Sequence, residues 1–319
     1  MDTAIDDVAR HSEADPGIAE QVIRAGASDA AAEIPEKPRR LGILYAEESG
    51  RGLTHPFFAP MLDAIKNEAE AHGYDISFIN RQVTANGGSY LAHSRLYELD
   101  GVCLVCVDFS APEIRELVMS GIPCVTVDHF FRGVPAVISD NETGVQKLVE
   151  YAISRGHRRI AFVHGHNNSV VTRMRIQQFE NTMSFYDLPV PAEYVREGEY
   201  DNIEMTRRIV DELLRLPERP TCILLPDDTS FLGAQEAARE NGLRIPWDIS
   251  FSGYDGISLS QALEPKLTTI RQDCEKIGMT AARTLISMIE KPGSIKPRPL
   301  IFPVEFMRGG TVGDAPRGN

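Results

Sequence analysis

A chain of 319 residues with 42% hydrophobic composition can bury two cores, since domains usually run to roughly 100–200 residues. A formal charge of −13 argues against a broadly basic nucleic-acid surface. No apolar run approaches the ~20 residues of a membrane helix, and the acidic opening MDTAIDDVAR lacks the regions of a signal peptide, so a cytoplasmic protein without membrane contact is expected.

Residues 1–38 are rich in Ala, Asp and Glu and end in IPEKP, whose two prolines read as a linker. From Arg39 the pattern becomes strand, helix, strand, helix. LGILYA is a buried strand, 56–72 a helix with Pro near its first turn, and YDISFIN a strand. GVCLVCV and PCVTVD are two more strands, separated by the helix APEIRELVMSG. Alternation at this spacing is the signature of a parallel sheet. The unit repeats: Asp140 caps a helix through Ser154, 158–164 is a strand, and a helix follows over 172–186. Strands at 220–225 and 249–254 complete a second sheet, and Asp273 caps the helix that follows the extended stretch from Pro265 to Ile270.

The cysteines Cys103, Cys106, Cys124, Cys222 and Cys274 are scattered through apolar runs and read as buried thiols. Cys103 and Cys106, read within one strand, point to opposite faces and cannot share a metal, so no metal site is expected. There is no Walker sequence and no GxGxxG, and no cofactor is expected.

Residues 249–254 bring Asp255 to the C-terminal end of a buried strand, where open α/β sheets bind ligands. The wording IPWDISFSGYD…PKLTTIRQD resembles the LacI/GalR family of regulators. So do GLTHPFF (52–58), SDNETGVQKLVEYAISRGHRRIAFVHG (139–165), VTRMRIQQF (171–179) and LLPDDTSFLGA (224–234). The resemblance covers nearly everything from Arg39 to Met307. It implies a two-lobed, periplasmic-binding-protein-like α/β fold, with parallel sheets flanked by helices and joined by crossover strands. The expected division is 39–159 plus about 273–296 as the first lobe, 160–272 plus about 297–308 as the second, and 309–319 as a flexible tail. A homodimer, a small-molecule effector of carbohydrate type and operator DNA are the implied partners.

Within that frame Arg175 matches the family's ligand arginine, and its planar fork of five donors suits vicinal hydroxyls. Asp128, Asp227 and Asp255 supply carboxylates at strand ends, Gln272 an amide, and His55 lies in the loop after the first strand. Asp227 and Asp228 adjoin, so one should face the cleft and the other cap the next helix. Phe57, Phe58 and Tyr200 match positions that stack a ring on the effector, with Phe58 the more expected core residue and Phe57 the ligand contact. Read instead as catalytic groups, the three aspartates would make a carboxylate-pair hydrolase, but no nucleophile accompanies them, and an enzyme is not expected.

Residues 3–23 are similar to the family's helix-turn-helix, which would place Pro16, Gly17, Ile18 and Gln21 against DNA. Glu13 stands where the tight turn takes Gly. Residues 1–38 hold nine acidic and three basic side chains, a net of −6. A degenerate, shortened reader and linker is the expectation for 1–38, with a stand-alone sensor that has lost DNA binding as the alternative to a working repressor.

Overall fold

Short apolar runs alternating with helices assemble into two parallel sheets in the computed structural model, which describes residues 39–47 and 49–316. Pro16, Gly17, Ile18 and Gln21 lie outside the described residues. The first sheet contains β1 (Arg40–Tyr45), β2 (Asp75–Phe78), β3 (Gly101–Val105), β4 (Cys124–Val127), β5 (Ala136–Ser139) and β11 (Pro299–Phe302), in the order β11-β5-β4-β3-β1-β2. The second holds β6 (Ile160–His164), β7 (Val195–Glu197), β8 (Cys222–Leu224) and β9 (Ser250–Ser252), in the order β7-β6-β8-β9. A separate antiparallel ribbon pairs β10 (Thr269–Arg271) with β12 (Glu305–Met307).

The central strands are buried on both faces because successive side chains point to opposite sides and helices cover each side. In β1, Ile43 and Tyr45 face α1 (Phe58–Ala71) and α9 (Cys274–Glu290), joining Met61, Ile65, Ile277 and Leu285. Leu44 points the other way, toward α2 (Tyr90–Leu96) and α3 (Pro112–Val118), with Leu91, Ile114 and Leu117. The second sheet repeats the plan. Phe162 faces α4 (Asn141–Ser154) and α5 (Val170–Phe185) with Val149, Phe179 and Met183. Phe251 meets Val210 and Phe231 of α6 (Ile203–Leu214) and α7 (Ser230–Glu240). A short α8 (Ser258–Ala262) follows β9. Asp140 and Asp273 are N-caps as expected, accepting from the Thr143 and Lys276 amides at 3.0 and 3.1 Å.

Two expected boundaries move. The segment 141–154 was expected in the first lobe, yet α4 packs on α5 and the second sheet, so the chain crosses at Ser139–Asn141, before that helix rather than after it. The segment 299–302 was expected in the second lobe, but β11 pairs in register with β5, Leu300 beside Val137, and forms an edge of the first sheet. The chain therefore crosses three times: after β5, between β10 and α9, and between β11 and β12.

The expected flexible tail is also corrected over its described part. The Phe251 amide donates to the Thr311 carbonyl at 3.0 Å, and the Thr311 hydroxyl donates back to the Phe251 carbonyl at 2.8 Å. Gly313 donates to Ser250 Oγ at 3.1 Å, and Ala315 to the Arg155 carbonyl at 2.8 Å. Residues 311–313 thus cover the β9 edge, whose open backbone groups would otherwise face water. Cys103 and Cys106 do not share a strand: β3 stops at Val105, Cys106 turns with φ 50°, and both thiols pack against one core.

Candidate ligand site at the strand ends

Both parallel sheets aim the C-terminal ends of their strands at the space between the lobes, and most of the expected site residues stand there. Asp128 follows β4, Tyr200 follows β7, Asp227 follows β8, and Asp255 lies just beyond β9. Asp128 and Asp255 leave their strands at φ 58° and 105°. Asp tolerates the left-handed region through its short polar side chain, but 105° lies outside that well and marks strained backbone.

Arg175, on α5 and 5% exposed, is the centre of the arrangement. Its Nε donates to Asn141 Oδ1 at 2.8 Å and one terminal nitrogen to the Pro226 carbonyl at 3.3 Å. The guanidinium carbon lies 3.6 Å from the centroid of the Tyr254 ring and 6.0 Å from that of Tyr200, the first a close cation–π contact. Burial opposes its charge, yet Tyr200, Tyr254, Asp255 and Asp128 together hold its pKa above the usual value. Burial raises both carboxyls against the pull of that arginine, Asp128 to about 6 and Asp255 to about 7. Gln272 Nε2 donates to Asp255 Oδ1 at 2.7 Å, which fixes the amide flip.

Several polar atoms here are sealed from solvent with no partner: Asp128 Oδ1, Gln272 Oε1 and the Tyr254 hydroxyl. Such atoms cost free energy unless something bonds to them. Two are pure acceptors and the third can donate or accept, so the site offers more acceptor capacity than donors. The Tyr200 ring, 36% exposed, lies over Gly165, where an added Cβ would fall 2.1 Å from the ring, and its hydroxyl shares a 2.8 Å hydrogen bond with Thr172 Oγ1. Surface hollows of about 330 and 280 Å3 in the first lobe include neither Arg175 nor these acceptors.

The two adjacent aspartates divide differently from expectation. Asp227 does the capping: Oδ1 accepts from the Ser230 amide at 2.8 Å, and Oδ2 from the Ser230 hydroxyl at 3.0 Å and the Asp201 amide at 2.7 Å. Asp228 is equally committed, accepting from the Ile257 amide at 2.9 Å and from the Thr269 hydroxyl. The phenylalanines are reversed. Phe57, 6% exposed, is in the first core, whereas Phe58 is half-buried against Tyr45 and His55 with centroids 5.4 and 4.9 Å away. Phe57 already has helical backbone angles, so it continues the buried stripe Met61 and Ile65 at four-residue spacing. His55 is 9% exposed, its Nδ1 accepts from the Phe57 amide at 3.2 Å, and burial lowers its pKa. Asn141, Thr172, Tyr254 and Gly165 join the site without having been singled out for it. The strand-end positions of Gly165 and Tyr254 could have signalled those two.

A sequence profile described as the periplasmic binding protein-like domain matches residues 149–312, more than half of the chain. The chain belongs to that family, in its LacI/GalR branch of regulators. It is similar to named repressors. The PurR transcriptional repressor of Vibrio parahaemolyticus is 28% identical over 79% of this chain and 75% of its own length. The ribose operon repressor of Haemophilus influenzae is 29% identical over 75% and 72%. A LacI family transcriptional regulator from Enterococcus faecium, solved with bound ribose, superposes with a TM-score of 0.74 at 24% identity, covering 86% of this chain and 99% of that one. These relatives are regulators, and the hydrolase reading of the three aspartates is set aside. None of the described helices is long and apolar enough to cross a membrane.

Proposed function

We propose that this LacI/GalR-type regulator senses a small neutral polyhydroxylated molecule, a sugar, in the cleft between its lobes. The observation that carries this reading is the surplus of acceptors around one buried cation: Asp128, Asp255 and the Gln272 carbonyl oxygen gathered near Arg175. A sugar presents hydroxyl donors to the carboxylates, a hydroxyl acceptor to the guanidinium, and an apolar C–H face to Tyr200. A phosphorylated sugar would bring two further negative charges against Asp128 and Asp255 and meet net repulsion. The ribose-bound relative and the ribose operon repressor support a sugar over other polyols. Titration calorimetry with neutral sugars beside their phosphates tests the reading. Saturable binding of a neutral sugar is expected, and tight binding confined to phosphates would refute it.

Operator DNA is the partner that family membership suggests, with a homodimer as the unit that would meet two half-sites. A second reading is favoured by one observation, the net charge of −6 over residues 1–38: a cytoplasmic sensor in which DNA contact has been lost. Fluorescence anisotropy with a pool of duplexes, with and without sugar, separates the two.

A further inference from the structure

The loop between β1 and α1 reaches from the first lobe to the second. Glu47, 4% exposed, shapes it from within by accepting from the Gly52 amide and the Ser49 hydroxyl. The Tyr45 hydroxyl donates to the Gly52 carbonyl at 3.2 Å, and Arg81 donates to the Glu47 carbonyl at 2.7 Å. These bonds brace Arg51, whose Nε is ion-paired with Oδ2 of Asp201 in the second lobe. Asp201 is braced in turn: it stands between Tyr200 and α6 at φ 57°, and its amide is held by Asp227 Oδ2.

The pair is asymmetric. The Asp201 side chain is 4% exposed, that of Arg51 40%, and Asp201 Oδ1 is sealed with no hydrogen-bond partner. An ion pair with both ends in water contributes little, but removing one partner of a buried carboxylate leaves an uncompensated charge. That penalty falls on the state in which Asp201 is buried, because parting the lobes would hydrate it. We infer that Arg51 and Asp201 form a latch that holds the two lobes closed, with Arg51 acting on the ligand site as a positioning residue from across the cleft. The inference stands whatever molecule fills the site.

The test uses the full chain without added ligand. Spin labels are introduced as non-canonical amino acids at Lys66 in α1 and Phe185 in α5, both exposed and away from the expected dimer face, and the interlobe distance is read by pulsed electron resonance. The wild type should show mainly the shorter distance. In Arg51→Ala and in Asp201→Asn, whose asparagine tolerates the left-handed backbone, the longer-distance population should rise several-fold. The double variant should open no further than either single one, as coupled partners require. A wild type that is already mainly open, an unchanged distribution in Arg51→Ala, or additive opening in the double variant would each overturn the latch.

Discussion

Arg175 faces two carboxyls that its single charge cannot fully neutralise, and the consequences can be measured one residue at a time. Replacing Arg175 or Asp255 with Ala should weaken the cognate sugar by about 1.5–3 kcal/mol, the range for a hydrogen bond to a charged group. Unchanged affinity in both variants, read by calorimetry, would place the site elsewhere. The raised carboxyl pKa values also set a pH dependence. Unfolded Asp titrates near about 3.9, so between that value and the folded ones the native chain holds protons the unfolded chain has released. The stability from this source is full below about pH 4 and is lost as pH rises through about 6 for Asp128 and about 7 for Asp255. Thermal melts should therefore fall across that window, and Asp255→Asn should flatten the upper part. A wild-type slope retained in the variant would contradict the assignment. Asp128, Asp255 and Gln272 could be read from the sequence because strand-end polar residues stand out against apolar runs, whereas Arg175, inside a helix, was carried by the family resemblance. The order of Phe57 and Phe58 was equally present in the four-residue spacing to Met61 and Ile65, but depended on where helical angles begin. Asn141 gave no such sign, since the first residue of a helix next to its cap looks like any other polar surface position.

Among the elements, the stretch around Thr311 is the one whose role differs most from its composition. RGGTVGDAPRGN reads as loose chain, yet Thr311 is fully buried, and its hydroxyl accepts from the Thr268 amide at 2.9 Å while donating to the Phe251 carbonyl. Thr311→Val keeps the shape and strands both groups, which should cost about 1–3 kcal/mol in urea unfolding. A midpoint unmoved by this change would mean that the segment is peripheral. Most strands and helices were legible because each carries a continuous apolar run or a clear cap. β11 was misplaced because its apolar run 300–302 marks a strand without saying which sheet takes it; Pro299, which cannot donate to a ladder, is tolerated at the first residue of an edge strand. The lobe assignment of α4 failed because chain order says which elements are consecutive and not where the crossing falls.

At the scale of the whole molecule, charge and descent pull apart. With −6 over residues 1–38, the purified chain should bind duplex DNA no better than about 10⁻⁴ M at physiological salt, the weak end of non-specific binding. A sub-micromolar, salt-sensitive and sequence-selective complex by anisotropy would restore the ordinary repressor reading. A dimer is expected through the first lobe, where the sequence over 112–119 and 62–71 carries apolar side chains beyond one core face: Leu62, Ile65 and Ala69 of α1 are spent in the core, while Met119 beside α3 is 80% exposed and Leu96 77%. Light scattering at micromolar concentration should give twice the chain mass, and a monomer would count against that face. The three crossings have one more consequence, which concerns synthesis. Domains ordinarily fold as they leave the ribosome, the N-terminal one first. Here the first sheet lacks its β11 edge until residue 302 has emerged, and the second lacks the cover of β9 until Thr311 and Gly313 follow. Neither lobe can be completed on a nascent chain that stops short of these residues, so both must wait, with β5 and β9 still unpaired on one side, until synthesis has passed residue 302 for the one and residue 313 for the other.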